Sequence, residues 1–402
     1  MDYVQLAVPF FILAVLLELT YGFFIKKNTY RFNDTISSIF MGSLRSTSKF
    51  IGIGIGGYVF YLAETKYALW RMDESSLFTW IFAFIAYDFF YYWFHRISHE
   101  RQIFWASHVA HHQSEDYNLS TALRQTGTGF LISWVFYIPL FIIGVPSYVY
   151  VSVATLNLVY QFWVHTEHIP KLGWYELFFI TPSNHRVHHA RNEAYIDKNY
   201  GGVFIIWDRI FGTFKEEDED KPCIYGLRSP IRTFNPIWAN FHIYVKMIRD
   251  FVAADSFKEK LYVPFSKTGW SPSNLNIKPV NTDKDDFERF DPKSSKAIGL
   301  YGVFQLIILV LLGLSLESST LGYAKNALII FMIGFTMFCV SRWFDNKPVL
   351  KLEIIRLILL PFVFIYFLPL SLELTYLIMG YALFNAVILY PIHQSSLRTI
   401  NG

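Results

Sequence analysis

What most limits the fold of this chain is the length of its uninterrupted apolar runs. Val4 to Ile25 carries a single charge, Glu18, over the length of a membrane span. Phe50 to Ala63, Leu77 to Phe94 and Phe130 to Val164 follow, the last broken at Gly144-Val145-Pro146, which reads as the turn of a helical hairpin. Beyond a polar middle come Ala297 to Leu316, Tyr323 to Val340, Ile354 to Leu370 and Leu372 to Leu389. The expectation is an all-α, polytopic integral membrane protein with about nine transmembrane helices. A hydrophobic share of 53%, an aromatic share of 19% and a mean hydropathy of +0.30 exclude an ordinary soluble chain.

Met1-Asp2-Tyr3 offers no basic n-region and no small-x-small cleavage site follows, so the first run reads as an anchor and not a removable signal. Cys223 and Cys339 are too few for a disulfide framework, which leaves nitrogen and oxygen as the ligand chemistry. The net charge of +3 gives no reason to expect a nucleic-acid partner. Its distribution says more. Lys26, Lys27, Arg31, Arg45 and Lys49 lie between the first two spans, and Arg342, Lys347 and Lys351 between the seventh and eighth. The positive-inside rule makes both loops cytoplasmic and puts the N-terminus outside.

Ten of the twelve histidines fall between His95 and His189, in four clusters: His95-x3-His99, His108-x2-His111-His112, His165-x2-His168 and His185-x2-His188-His189. Residues three or four apart on a helix share a face, so each cluster can aim two rings at one point. Neutral imidazole is the commonest ligand for iron, zinc and copper, and this many rings exceed what one four- to six-coordinate ion can use. The clusters therefore ask for two metals, in a helical cap on the cytoplasmic side of the membrane. In the third span, Asp88, Tyr92, His95 and His99 are spaced four, three and four and line one stripe. A carboxylate in an apolar span is costly and needs a partner, so Asp88 is expected to accept an N–H from a ligand ring, directly or through Tyr92. A helix-packing hydrogen bond is the competing account.

The chain divides into N-terminal spans (1–74), a histidine-bearing catalytic region (75–245), a cytoplasmic linker (246–296) and a C-terminal block of spans (297–402). The acidic run Glu216 to Asp220 reads as a solvated loop. The C-terminal block shows no polar cluster at mid-membrane depth, so it reads as a packing or dimerisation unit, which leaves a homo-oligomer open. A zincin is excluded because Ile103 stands where His-Glu-x-x-His after His99-Glu100 needs its second histidine. A haem protein would want single histidines facing across paired spans, and a metal transporter a mid-span polar path, where only Asp88 qualifies.

His95-Arg96-Ile97-Ser98-His99, His108-Val109-Ala110-His111-His112 and Asn184-His185-Arg186-Val187-His188-His189 resemble the three histidine boxes of the fatty acid hydroxylase and sterol desaturase superfamily, membrane di-iron enzymes. Asn199-Tyr200-Gly201 and Trp207-Asp208-Arg209-Ile210-Phe211-Gly212-Thr213-Phe214 are similar as well. Ser114 to Gln125, Phe162-Trp163-Val164-His165-Thr166-Glu167 and Tyr225-Gly226-Leu227 resemble its alkylglycerol monooxygenase branch. The resemblance covers residues 75 to 245.

The resemblance implies that His95, His99, His108, His111, His112, His165, His185, His188 and His189 hold two iron ions. His168 is either a tenth ligand or an interfacial side chain. Glu100 is either a carboxylate ligand or proton relay, or a solvated charge, and Glu167 has the same two readings. Asn118, Asn184 and Asn199 serve either as hydrogen-bond partners of the ligands or as turn residues, and His242 and His393 read as surface histidines. The branch implies oxidation of the ether-bearing carbon of glycerol ether lipids by O2, giving an aldehyde and a glycerol derivative, with tetrahydrobiopterin or another external reductant. Its partners would be the lipid substrate, the bilayer and a separate electron donor, since no nucleotide fingerprint is visible. Trp93, Phe94, Phe162, Trp163 and Trp174 fit an interfacial belt. A hydroxylase or desaturase of a sterol, fatty acyl chain or carotenoid shares the same metal site and is the alternative.

Overall fold

A computed structural model describes residues 3–275, 288–317, 322–367 and 371–401. The start of the expected anchor (Met1-Asp2), part of the loop Pro264 to Asp291 and residues 368–370 of the span ending at Leu370 lie outside them. Fifteen α-helices run through the described residues, which contain isolated bridges and no strand.

One compact unit comprises residues 1–31, 52–231 and 240–288. It holds α1 (Tyr3–Phe24), the end of α2 (Phe32–Lys66), α3 (Leu77–Glu100), α4 (Gln102–Ala106), α5 (Leu119–Leu123), α6 (Ile138–Ile143), α7 (Ser147–Trp163), α8 (Pro182–His189), α9 (Ile206–Ile210), most of α10 (Pro236–Ala253) and α11 (Phe257–Tyr262). The spine is α3. Its 24 residues extend about 36 Å at 1.5 Å per residue, enough to cross a hydrocarbon core of about 30 Å. Its buried side runs Thr79, Ala83, Tyr87, Tyr91 and His95, a repeat of four that keeps one face inward. That face packs on α7 through Val149 and Val153, joined by Tyr137, Leu140 and Val145.

The expected turn between Phe130 and Val164 forms at Gly144, whose φ of +106° suits glycine, and a Cβ there would stand 2.1 Å from the Trp70 carbonyl oxygen. The arm before it differs from a regular span. Short 3-10 turns at Gly129–Leu131 and Ser133–Tyr137 lead into the six-residue α6. Pro139, at the start of α6, lacks an N–H and excludes the carbonyl four residues earlier from the helix ladder. Four helical segments are long and apolar enough to cross a membrane among the described residues: Leu6–Phe24, Leu77–Glu100, Ala324–Phe344 and Thr375–Leu397.

The other unit comprises residues 32–51, 232–239 and 289–402. Here α12 (Lys296–Glu317), α13 (Tyr323–Phe344), α14 (Leu350–Phe367) and α15 (Leu372–Asn401) share a core of Ile298, Ile333, Met337, Val340, Leu360 and Leu389. Contrary to the sequence expectation, the block contains a buried polar cluster. Glu353 and Arg356 are both fully buried and paired at 2.7 Å. Tyr301 and Trp343 donate to Glu353 at 3.0 and 2.9 Å, and Arg356 donates to Tyr301 and Tyr381 at 2.7 Å each. Tyr381 continues to Gln305, and Gln305 to Asn385, each at 2.5 Å, which carries the cluster to the middle of α12 and α15.

Candidate metal centre

Four elements bring the histidines together. The end of α3 supplies His95 and His99, and the turn of α4 is followed by His108 and the 3-10 segment Val109–Gln113 with His111 and His112. His165 follows the end of α7. The helix α8 is started by Thr181, whose hydroxyl accepts from the Asn184 N–H while the Asn184 side chain accepts from the Thr181 N–H, and by Pro182 in the first turn. It carries His185, His188 and His189 on successive turns.

The ligand atoms form two groups, each within 4.8 Å: His95, His99, His108, His112 and His188 in one, His111, His165, His185 and His189 in the other. All nine residues are buried. The adjacent pairs His111-His112 and His188-His189 are divided, one member to each group. Successive residues point about 100° apart on an α-helix and about 120° apart on a 3-10 turn, and so suit two neighbouring foci better than one.

Four rings are oriented by carbonyl oxygens. His95 Nδ1 donates to Tyr200 O at 2.7 Å, His111 Nδ1 to Arg124 O at 2.9 Å, His165 Nδ1 to Gln161 O at 2.8 Å and His188 Nδ1 to Lys198 O at 3.0 Å. A carbonyl only accepts, so the proton of each neutral ring sits on Nδ1 and Nε2 keeps a bare lone pair. His111 and His165 then face each other through two bare Nε2 atoms 3.3 Å apart. No neutral hydrogen bond joins two lone pairs; a cation between them does. In the larger group, His95 Nε2 and His112 Nε2 each stand 3.1 Å from His108 Nε2, while the buried Nε2 atoms of His99 and His188 have no partner. The donor set therefore fits metal ions.

Burial, reinforced by neighbouring rings, pushes the pKa values of His108, His112, His165, His185, His188 and His189 well below the ordinary 6.5. Neutral imidazole is the ligating form. Nitrogen donors without thiolate suit iron, zinc or copper.

The other residues singled out from sequence sit elsewhere. Glu100 pairs with Arg96 one turn back, at 2.8 Å, with a third of its side chain exposed. Asp88 makes neither expected contact with a ring. It accepts from Val203 N at 2.8 Å, Phe204 N at 3.0 Å, Trp207 Nε1 at 3.0 Å and Asn157 Nδ2 at 2.7 Å. Tyr92 meets Thr213 instead, at 3.0 Å. His168 is in neither group and presents its ring edge-on to Tyr21. Asn118 caps α5, and Asn199 bridges Asn184 O and Lys215 O.

Sequence reasoning missed three supports. Glu18 accepts from the Tyr30 and Thr166 hydroxyls and, at 2.8 Å, from Leu119 N, joining α1 to α5 and to the residue after His165. Its solitary position in an apolar run was the visible signal. Arg186, between His185 and His188, makes a two-pronged pair with Glu217 at 2.8 and 2.7 Å and donates to Thr166 O and Ile169 O. The acidic run is thus anchored at Glu217 and not simply solvated. Asp208 accepts from Tyr200 N, Gly201 N and the Thr213 hydroxyl at 2.7, 2.8 and 2.6 Å. Burial raises its carboxyl to about 6 against the pull of these donors.

Residues 80–213 match the model of the family described as Fatty acid hydroxylase. Alkylglycerol monooxygenase of Homo sapiens is 42% identical over 357 residues, 86% of this chain and 79% of the relative. Alkylglycerol monooxygenase of Xenopus tropicalis is 36% identical over 90% of this chain and 82% of the relative. That of Danio rerio is 39% identical over 77% and 69%. No solved structure matches the chain.

Proposed function

Because the chain belongs to the fatty acid hydroxylase superfamily, in its alkylglycerol monooxygenase branch, we propose that it oxidises the ether-bearing carbon of glycerol ether lipids. That it is a lipid monooxygenase of the membrane follows from the family; the ether substrate is the finer reading. The observation that carries it is the gathering of nine buried histidines into two groups, in a chain similar to alkylglycerol monooxygenases over most of its length. In this reading one iron is held by His95, His99, His108, His112 and His188 and a second by His111, His165, His185 and His189. The irons, when bound, supply the O2 activation and C–H oxygenation that no side chain can.

The chain's own part is to orient and to exclude. Carbonyls at Tyr200, Lys198, Arg124 and Gln161 hold four rings with Nε2 forward. Burial of the rings keeps water and stray protons from the centre. Glu100, a third exposed at the end of α3, is proposed as a proton relay steered by Arg96. The overall conversion takes one O2, two electrons and two protons, leaves one oxygen on the lipid carbon and one in water, and yields a hemiacetal. Its C–O bond then breaks to give an aldehyde and a glycerol derivative. Tetrahydrobiopterin, or a separate donor protein, is proposed to bring the electrons. The basic loops are the ground for proposing an outward N-terminus and a cytoplasmic histidine cap, and of the nine spans expected from apolar length four helices among the described residues are long and apolar enough to cross.

The test is to incubate the purified, iron-loaded protein with O2, a tetrahydropterin and a panel of glycerol ethers, sterols and acyl lipids, with mass spectrometry of the products. Aldehyde released from glycerol ethers supports the reading. A hydroxylated or desaturated sterol or acyl chain overturns it in favour of another branch.

A further inference from the structure

We infer that Asp208 and Asp88 are positioning residues that clamp the turn from Asp197 to Phe204 and, through its carbonyls, aim His95 and His188 at the five-histidine group. The turn does not hold itself. Asp197 and Asn199, neither of them glycine, have φ of +57° and +55°, a region L residues occupy at a cost. External contacts must therefore fix it: besides the backbone bonds from Asn199 N to Thr213 O at 3.1 Å and from Ile180 N to Val203 O at 2.8 Å, three side chains do.

Asn199 ties the middle down, donating to Asn184 O at 3.0 Å and Lys215 O at 2.7 Å and accepting from Lys215 N at 2.8 Å. Asp208 takes the next two backbone N–H groups, those of Tyr200 and Gly201. Asp88 takes those of Val203 and Phe204. Between them the backbone lies so close to the second carboxylate that a Cβ on Gly202 would stand 2.8 Å from Asp88 Oδ1. Both carboxylates are fully buried. Four consecutive-but-one N–H groups thus face two anionic acceptors, and charge-assisted bonds of this kind are roughly twice as strong as neutral ones.

The carbonyls on the other side of the same turn are those that receive His188 Nδ1, from Lys198, and His95 Nδ1, from Tyr200. Both rings belong to the larger group. The smaller group is framed separately: His111 and His165 donate to Arg124 O and Gln161 O, which lie outside this turn. Asp208 therefore acts on the larger group alone, while Asp88 also reaches the Gln161 side chain through Asn157, at 2.7 and 2.5 Å. Asparagine at 208 would keep the volume and lose this grip, because an amide presents one oxygen and one N–H to backbone N–H groups that can only donate.

The inference rests on the two-metal reading above, and the wild-type iron count tests that reading separately. Iron per chain, iron affinity and Mössbauer spectra are measured on the full-length protein in detergent or nanodiscs, with His99→Ala and His165→Ala assigning the signals of the two groups. Asp208→Asn is expected to lose about 10- to 100-fold in iron affinity at the five-histidine group and to keep the other signal, the range seen when partners of metal-bound histidine are removed. Thr213→Val, which spares both backbone bonds, is expected to retain both irons. If Asp208→Asn fails to fold, Trp207→Phe removes one donor to Asp88 with little change in packing and is expected to weaken the same signal by several-fold. A folded Asp208→Asn or Trp207→Phe protein with unchanged affinity and spectrum overturns the inference, and so does an equal loss from both groups in Asp208→Asn. A wild-type protein that takes up one iron overturns the two-metal reading instead.

Discussion

Adjacent histidines in this chain fall into different groups. His111 and His112 differ by one position, yet one joins the group of four and the other the group of five, and the same holds for His189 and His188. Replacing His111 by alanine should empty the smaller group and replacing His188 the larger, each abolishing turnover while membrane insertion is unchanged. Iron per chain and alkaline extraction of membranes read the two effects, and a variant that keeps both irons and full activity would sink the two-group scheme. The buried rings also set a pH dependence. Burial holds His108, His112, His165, His185, His188 and His189 below 6.5, so the folded chain keeps them neutral where the unfolded chain takes up protons. Their contribution to stability is complete above the unfolded value and is lost as the pH falls below it, by up to about 1.4 kcal/mol per unit for each ring. The unfolding midpoint of the metal-free protein should be flat from pH 8 to 7 and fall steeply towards 5; a flat profile to pH 5 contradicts this. Spacing made the four clusters legible, and the set of nine rings was what the family resemblance implied. Which ring joins which group was not legible, because that depends on where α8 and the Val109–Gln113 turn meet in space.

At the scale of elements, apolar length made α1, α3, α13 and α15 readable, since a long apolar run is satisfied by a helix whatever surrounds it. The arm before Gly144 was misjudged because composition there is apolar while Pro139 breaks the backbone pattern. Partners of polar groups were harder still. Asp88 and Glu18 were visible as isolated carboxylates, but their partners lie 115 and 148 residues away in sequence, at Val203 and Thr166. Glu18 gives a direct test of such long-range ties. Its replacement by alanine leaves the buried Leu119 N–H, and the Tyr30 and Thr166 hydroxyls, without their acceptor. An unsatisfied buried donor costs about 1–3 kcal/mol, so the thermal midpoint should fall even though α1 becomes more apolar. Because Thr166 follows His165, iron should leave the four-histidine group more readily as well. An alanine variant as stable as wild type, with unchanged iron retention, would mean that α1 is held by apolar contact alone.

The whole molecule contains two packed units, and the second has no histidine group among its described residues, so what holds it must be found in its own helices. There the sequence suggested apolar packing, because Glu353 and Arg356 sit three apart near the start of α14 and pass for charges at a helix end. Packing instead buries both, with Tyr301 from α12, Trp343 from α13 and Tyr381 from α15 closing around them. Every helix of the block thus contributes to one network. Such a network makes a sharp asymmetry between single and double variants. Arg356→Met leaves Glu353 charged, buried and short of its strongest partner, and breaking a buried pair in this way costs about 3–5 kcal/mol. Exchanging both residues, as Glu353→Gln with Arg356→Met, removes the two charges together and should recover much of that loss, since a pair replaced jointly by uncharged groups is often close to neutral. Limited proteolysis and thermal unfolding of the detergent-solubilised protein would rank the three chains. The double variant should lie between wild type and Arg356→Met, with cleavage of the single variant concentrated between residues 289 and 402. If the double variant is the least stable of the three, the buried ion pair itself, and not the avoidance of an unpaired charge, is what binds the four helices.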